Sequence, residues 1–598
     1  MKFSIAICGI LSILLMMSLK YATANTPVSG NVSGQWTTAG SPYLVQGNIN
    51  VAAGQTLSIQ PGVEVIFEGF YRFTVNGQLR AIGNSSSPIV FKMNDTTGWH
   101  NDISQSGGWR GIQYNPFGGG GTDSSELSYC TIQDVKHGIN GTANGINALN
   151  VTYRSLKVSY CIFRHNQSSA NQSDGKIINV TLQATQHFDM QHCEIYDSKV
   201  RIAVVFINGP ATISRNTLHH NTGGSTFWSI LSELLFADNE VHHNTHTFDM
   251  TAVKVDGGHN TLANNRIHHN TADRMGAITC TMGKTIIESN FISNNNTLQG
   301  NCGPTDGGGG IHLSHNNNGI WDSTQYIVRN NIIANNYCAF NGGGIYIYDC
   351  KAHIVNNHII NNSTQFAGPG LYNIGSQSKL FIKNNLIYGN GNNGLVQQPQ
   401  IYFLSSHSIW FDYNFIQHPF YQSVLMNLPP TLVGDTSHNQ IASNPFLQNP
   451  TLSNHYQEDA LPHNFSITPL SLQCINQGDT TGVHFSATDY IGNIRVQGQN
   501  IDIGAYETNI ESPLAIELSY DNQVIKIYPN PTQNQLHIYS DTQAPMSYSI
   551  LTPQGNTIES QPLDLTQKTI SVQHLVRGMY LLQLSSKQGI TKIPFVKY

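Results

Sequence analysis

The chain has 598 residues, of which 11% are charged, with 29 Lys and Arg against 35 Asp and Glu and a formal net charge of −6. That balance, with no basic run, excludes the electrostatic footprint of a nucleic-acid or anionic-membrane binder. Low charge beside many β-branched residues excludes a disordered chain and indicates a packed β protein, in several domains or as one elongated repeat with appendages. In chain order, Lys2 begins a positive segment, Ile5 to Leu19 is apolar, and Ala22-Thr23-Ala24 is a small-residue cleavage site. These are the parts of a secretory signal, and no later stretch has the length and apolar purity of a membrane span. An exported protein without a transmembrane segment is expected.

A repeat follows, of the form apolar-x-x-Asn-x-apolar-x-x-Asn. It is clear in Ile354, Asn357, Ile359 and Asn362, and recurs with its first Asn at 216, 239, 265, 290, 331, 357 and 385, ending in a partial copy at Asn414. Cys130, Cys161 and Cys193 take the same place upstream. The period of about 23 to 32 residues, with one longer step across a Gly-rich insertion before Ile311, signals a solenoid. Helical spacing is not sustained, whereas short alternating segments separated by polar corners indicate strands. One coil is then a Gly-led strand, a second strand, an Asn corner, a third short strand and another Asn corner. Stacking coils about 4.8 Å apart gives a parallel β-helix. An inward Asn amide can bond both its neighbour in the next coil and the corner backbone, which would otherwise be buried without partners.

Cysteine at that position is expected as a small buried hydrophobe. Export permits disulfides, and one among Cys302, Cys338 and Cys350 near the insertion is unassignable from sequence. No CxxC spacing marks a metal site.

The repeat resembles the right-handed parallel β-helix proteins of the pectin-lyase-like superfamily. The stretch beginning GNINVAAGQTLSIQPG, GWRGIQY from Gly108 to Tyr114, and TDYIGNIRVQGQNIDIGAYE from Thr488 to Glu507 are similar to opening and closing coils of such proteins. Past Glu507, IKIYPNPTQNQLHIYS with Tyr528-Pro529-Asn530-Pro531, Gly578-Met579-Tyr580 and the closing Val596-Lys597-Tyr598 resemble the type A sorting domain of type IX secretion. That resemblance implies a Bacteroidetes source, type IX machinery as partner, and passage through both membranes to the cell surface or medium. The expected fold class is all-β, a parallel β-helix followed by a small β-sandwich. The expected boundaries are a signal peptide at 1–24, a cap and first coils at 25–110, ladder repeats at 111–420, a closing region at 421–507, a linker at 508–525 and the sorting domain at 526–598.

Alternation in the Gly-led strands sets one expected outward column of Lys254, Thr279, His312, Tyr346 and Tyr372, and a second of Asp256, Thr281, Ser314 and Tyr348. Preceding turns add Asp249, Asp273, Arg274 and Asp306, and Gly307–Gly310, Gly342–Gly344 and Gly368–Gly370 are expected to leave room for a ligand beside the backbone. Aromatic faces stack on sugar rings while hydroxyls and charges bond to sugar hydroxyls, so Thr279, Tyr346, Tyr348 and Tyr372 are candidate glycan contacts. Cleavage is the alternative. Lys254, Asp256, Asp273, Arg274 and His312 are the candidate catalytic set, as paired carboxylates for hydrolysis or as a base with electrostatic help for a lyase. Superfamily polygalacturonate hydrolases carry paired Asp motifs and Gly-His-Gly, which Asp256-Gly257-Gly258-His259-Asn260 matches loosely and without an adjacent Asp pair. No cofactor is indicated, although a lyase would call for Ca2+. The pairs His219-His220, His242-His243 and His268-His269 are either solvated corners repeated with the unit or a strip for a transition metal. The expected function is an extended-glycan binder of adhesin type, monomeric, with a polysaccharide lyase or glycoside hydrolase as alternative.

Overall fold

The structure, a computed structural model, describes residues 25–597 except 102–103, 119–122, 137–146, 168–174, 248–249, 299–305, 316–324, 392–398, 405–407, 418–437, 443, 483, 498–499, 510–524, 529–531, 533, 541–545, 554, 564–568 and 587–588. The signal segment, Asp249, Cys302 and Pro529–Pro531 therefore lie outside the described residues. The chain divides into two compact units, through Glu511 and from Ser512.

The first unit is a parallel β-helix. A representative coil holds the strands Ile345–Tyr348, Lys351–Val355 and His358–Ile360, which pair in parallel with Leu371–Ile374, Lys379–Lys383 and Leu386–Tyr388 of the next coil. Successive coils thus build three sheets. Inward aliphatics such as Ile345, Ile347, Ile354 and Ile359 are fully buried in one core that runs from Trp36 to Ile416. Because every side chain of a strand alternates in direction, a slip of one residue would expose this core, which fixes the register.

The corners are the polar counterpart of that core. Asn357 is fully buried. Its Oδ1 accepts from the N–H and Nδ2 of Asn331 at 3.0 and 2.9 Å, while its Nδ2 donates to Asn385 Oδ1 at 3.0 Å and to the Val328 carbonyl at 2.8 Å. The same pattern joins 216, 239, 265, 290, 331, 357, 385 and 414. It continues to Asn439, one rung past the expected partial copy. A second stack runs from Asn221 through Asn244, Asn270, Asn295, Asn336 and Asn362 to Asn390, where Gln400 supplies the last acceptor. Cys130, Cys161 and Cys193 occupy the first stack as buried thiols. Burial raises the Cys130 and Cys193 pKa values, as a structural thiol requires.

Each ladder residue as far as Asn390 and Asn414 follows one in the left-handed region, at φ near +54° for Asn356 and +53° for Asn361. This turns the chain through the corner and points the preceding side chain outward. Asn, Asp and His tolerate that conformation best among non-glycine residues. From Asn294 onward those outward residues that are Asn seize the backbone of a returning C-terminal segment. Asn294 bonds to the carbonyls of Tyr456 and Glu458, Asn335 to those of Ser453 and His455, and Asn356 to those of Asp502 and Gly504. The segment also buries a second core, with Phe465, Ile503 and Ala505 packed on the outer faces of Ile332, Ile360, Leu386 and Phe415.

The Thr488–Glu507 motif forms the clasp. Arg495 is fully buried and donates to the carbonyls of Gly504, Ala505 and Tyr506 and to Asn330 Oδ1. Glu507 Oε2 lies 3.5 Å from its guanidinium.

The second unit is a small β-sandwich. One antiparallel sheet has the order Ile525–Tyr528, Gln535–Ser540, Thr569–Ser571, and the other Thr557–Leu563, Met546–Leu551, Gly578–Ser586, Gly589–Lys597. Leu536, Ile538 and Ile570 of the first share a core with Ile550, Leu582 and Phe595 of the second.

Candidate functional site

The outer face of the first sheet carries the expected column in the expected register. Lys254, Thr279, His312, Tyr346 and Tyr372 are direct partners in successive rungs. The row extends beyond them, upstream through Trp228, Phe206, Asn179 and Asn150 and downstream to Tyr402. Rings of His312, Tyr346, Tyr372 and Tyr402 stack at 5.1, 5.4 and 5.6 Å.

Exposure differs from expectation. Thr279 and Tyr346 have no accessible surface, His312 has 1% and Tyr372 has 5%. The glycines expected to leave room for a ligand explain part of this. Backbone at Gly307 lies so close to the Tyr346 ring that a Cβ there would come within 2.5 Å of it, and one at Gly368 within 2.8 Å of Tyr372 Cβ. Gly308, Gly342 and Gly368 take φ of +88°, +74° and +62°, a conformation that glycine adopts at no steric cost and that folds each turn back over the row. Gly309, Gly310, Gly343 and Gly344 have no spare space either, because a Cβ at each would meet backbone at 2.3 to 2.7 Å. The glycines let coils and turns approach one another rather than admit a ligand.

The candidate catalytic residues divide accordingly. Lys254 Nζ and Asp256 Oδ2 are 3.8 Å apart, each side chain 15% exposed. Asp256 also accepts from Trp228 Nε1 at 2.8 Å and from Thr281 Oγ1. His312 is elsewhere engaged, its Nδ1 3.0 Å from the Gly307 carbonyl, and burial pulls its pKa down to about 4. A buried imidazole that weakly basic is a poor proton acceptor at neutral pH. Asp273 and Arg274 are half-buried in the turn that leads into Ile278–Thr281. Tyr348 stays half-exposed in the column of Asp256, Thr281 and Ser314.

Upstream the row carries an aromatic and cationic patch of which the expected column included Lys254 alone; Lys176, Trp228 and Lys254 keep partial exposure, while Phe206 is buried. Lys176 Nζ lies 4.2 Å from the Phe206 ring centroid and Lys254 Nζ 4.4 Å from that of Trp228, and the two rings meet edge to face at 5.5 Å. The alternation in Lys199–Asn208 and Thr222–Ala237 carried the signal, since Phe206 and Trp228 are the outward aromatics next in register to Lys254.

The histidine pairs form two imidazole stacks. His219, His242 and His268 stack at 5.0 and 5.1 Å, and His220, His243 and His269 at 5.3 and 5.0 Å. Within each pair the Nδ1 atoms are 2.7, 2.8 and 3.0 Å apart, so one ring donates and the other accepts. Burial lowers the pKa values of His242 and His268 to about 4. Among the described residues no three His, Cys, Asp or Glu side chains converge so as to hold a metal ion.

Comparison with known proteins agrees with this architecture. Residues 144–396 match the family model described as a right handed beta helix region, and residues 526–597 that of a secretion system C-terminal sorting domain. A stretch of 57 residues, 10% of this chain, is 40% identical to Protein bark beetle of Drosophila melanogaster and spans 2% of that protein's length. No helix among the described residues is long and apolar enough to cross a membrane. The sorting domain directs export by type IX secretion to the cell surface or extracellular space, and the chain is a right-handed parallel β-helix protein with a type IX sorting tail.

Proposed function

We propose that this exported solenoid binds extended acidic glycans along the outer face of its first sheet. The observation that carries the reading is the pair of ammonium groups held over the Phe206 ring, buried at 8% exposure, and the half-exposed Trp228 ring. Among the described residues the patch sets two lysines against one carboxylate, Asp256, which favours a sugar that brings its own negative charge, and a half-exposed Trp supplies a stacking face. Tyr348 lies three rungs from Asp256 in the same column, roughly 14 Å at about 4.8 Å per rung, which suits a chain of a few sugar units. Of the four glycan contacts expected from sequence, Tyr348 retains the exposure to serve directly, while Thr279, Tyr346 and Tyr372 would support the face from beneath.

The test is affinity electrophoresis of the exported chain in gels containing polygalacturonate, alginate or dextran. Retardation by an acidic polymer and not by dextran is expected, weakened about tenfold by Trp228→Ala and by Lys254→Ala. Neither unsaturated products nor new reducing ends should form. Equal retardation of both variants, or cleavage of the polymer, would overturn the reading.

A further inference from the structure

A second, separate cleft lies at the C-terminal end of the second sheet, with a volume of about 460 Å³. Its wall holds Phe381 and Trp410, the last two members of an aromatic stack that begins one rung earlier at His353, with centroid separations of 4.6 and 4.7 Å. Stacking covers both faces of Phe381. Trp410 ends the row, because among the described residues no strand pairs with the far edge of Ser408–Asp412, and its side chain is 38% exposed.

Polar groups line the rest of the cleft. Lys383 pairs with Asp479 and donates to the Thr481 carbonyl at 3.0 Å, so the returning segment closes one side. Asp412 accepts from the Tyr413 N–H at 3.0 Å and faces His438 Nδ1 at 3.3 Å on the other. The Tyr413 and His438 rings stack at 4.6 Å, and Lys383 Nζ lies 5.0 Å from the Tyr413 centroid. Burial raises the Asp412 pKa, whereas at Asp479 the bonds from Lys383 and Thr481 outweigh burial and lower it.

An open indole face beside two carboxylates, a lysine and a threonine hydroxyl has the make-up of a saccharide site. The ring stacks on the C–H face of a pyranose while oxygens and nitrogens at the rim bond its hydroxyls. Two carboxylates against one lysine, itself paired, disfavour a uronate. We propose that the cleft lined by Trp410, Asp412, Lys383 and Asp479 binds a neutral or N-acetylated hexose unit stacked on Trp410. The proposal does not rest on the first-sheet patch, from which it differs in sheet, in rung and in charge balance.

The experiment is calorimetric titration of the exported chain with cellohexaose, chitohexaose and hexagalacturonic acid, with tryptophan fluorescence in parallel. Saturable binding of one of the first two is expected, with a shift in emission, and any binding of the uronate should be lost with Trp228→Ala and kept with Trp410→Ala. Trp410→Ala should weaken it at least tenfold, Trp410→Phe should restore most of it, and Asp412→Asn should give an intermediate loss. Trp228→Ala should leave it unchanged, which separates failure here from failure of the acidic-glycan reading. Absence of binding by both neutral hexamers, binding of the uronate that Trp410→Ala removes, or equal binding of the neutral hexamer by Trp410→Ala would each overturn the proposal.

Discussion

In the coils of the histidine pairs the third strands are Thr217–His219, Glu240–His242 and Arg266–His268, each with one inward aliphatic between two polar residues. In the next five coils the same positions read Phe291–Ser293, Ile332–Ala334, His358–Ile360, Leu386–Tyr388 and Phe415–Gln417, where apolar residues appear on the outward side as well. The corner residues change in step, from His220, His243 and His269 to Asn294, Asn335 and Asn361. The interior is identical in kind throughout, with the same amide stacks and aliphatic core. What differs is the covering, since the returning segment lies over the second set and, among the described residues, meets the first at its last coil, where Asp459 Oδ1 is 3.8 Å from His269 Nε2. A strand apolar on both sides is one that is buried on both sides. A solenoid can therefore change its exterior coil by coil while its core repeats.

The largest effect that would sharpen this contrast is at Arg495. Replacing it by Met leaves the Gly504, Ala505 and Tyr506 carbonyls and Glu507 without their buried partner, at an expected cost of about 4 kcal/mol. Hydrogen exchange should show the loss in the coils from Asn294 onward and protection unchanged near His242, because each coil of a solenoid depends chiefly on its neighbours. A uniform loss along the chain would break the division.

Next is a matched pair in one column of the third sheet. Phe415 is fully buried on the outer side, whereas Glu240 is half-exposed at the equivalent position. Phe415→Ala should cost about 3 kcal/mol in denaturant unfolding, and Glu240→Ala within about 0.5 kcal/mol.

Acid should act on both regions through different groups. The pKa values of His242 and His268 are lowered to about 4 and that of His358 to about 3, in each case first by burial. A base whose folded pKa lies below its unfolded value near 6.5 favours the folded state in its neutral form. That stability is complete above about pH 6.5 and is lost as pH falls towards 4. His268, whose side chain is 4% exposed, should account for about 3 kcal/mol by pH 4. His268→Gln should flatten the pH dependence of exchange at the Asn244 and Asn270 corners alone, and His358→Gln that at Asn331 and Asn357 alone.

The smallest effect concerns the left-handed corners. Asp238, at φ +57° and exposed, should gain about 0.5 kcal/mol as Gly. Asn356→Gly should lose stability instead, because its bonds to Asp502 and Gly504 go with it. Gains at both would mean that the outward asparagines hold nothing.

The coil period, the inward stacks and the register of the outer column were legible because each follows from one repeated residue type at one spacing. Cover on that column was not legible. It depends on how Gly307, Gly342 and Gly368 fold back in three dimensions, and glycine in sequence states freedom without saying how it is used. The returning segment did leave a signal that spacing alone passed over, in the Asn doublets Asn330-Asn331, Asn335-Asn336, Asn356-Asn357 and Asn361-Asn362 and in the two-sided apolar strands. The cleft at Trp410 joins Lys383 to Asp479 across 96 residues, a separation that no local pattern reveals.

In both amide stacks each Oδ1 accepts from the preceding coil, while each Nδ2 donates forward to the next Oδ1 as well as back to a carbonyl of the preceding coil. The construction thus has a direction. A chain emerging amino end first always carries one incomplete rung at its leading edge, ready to template the next turn and unable to close on itself. Gln400 ends the second series with a longer side chain from the start of the next first-sheet strand, while the first series runs on through Asn414 to Asn439.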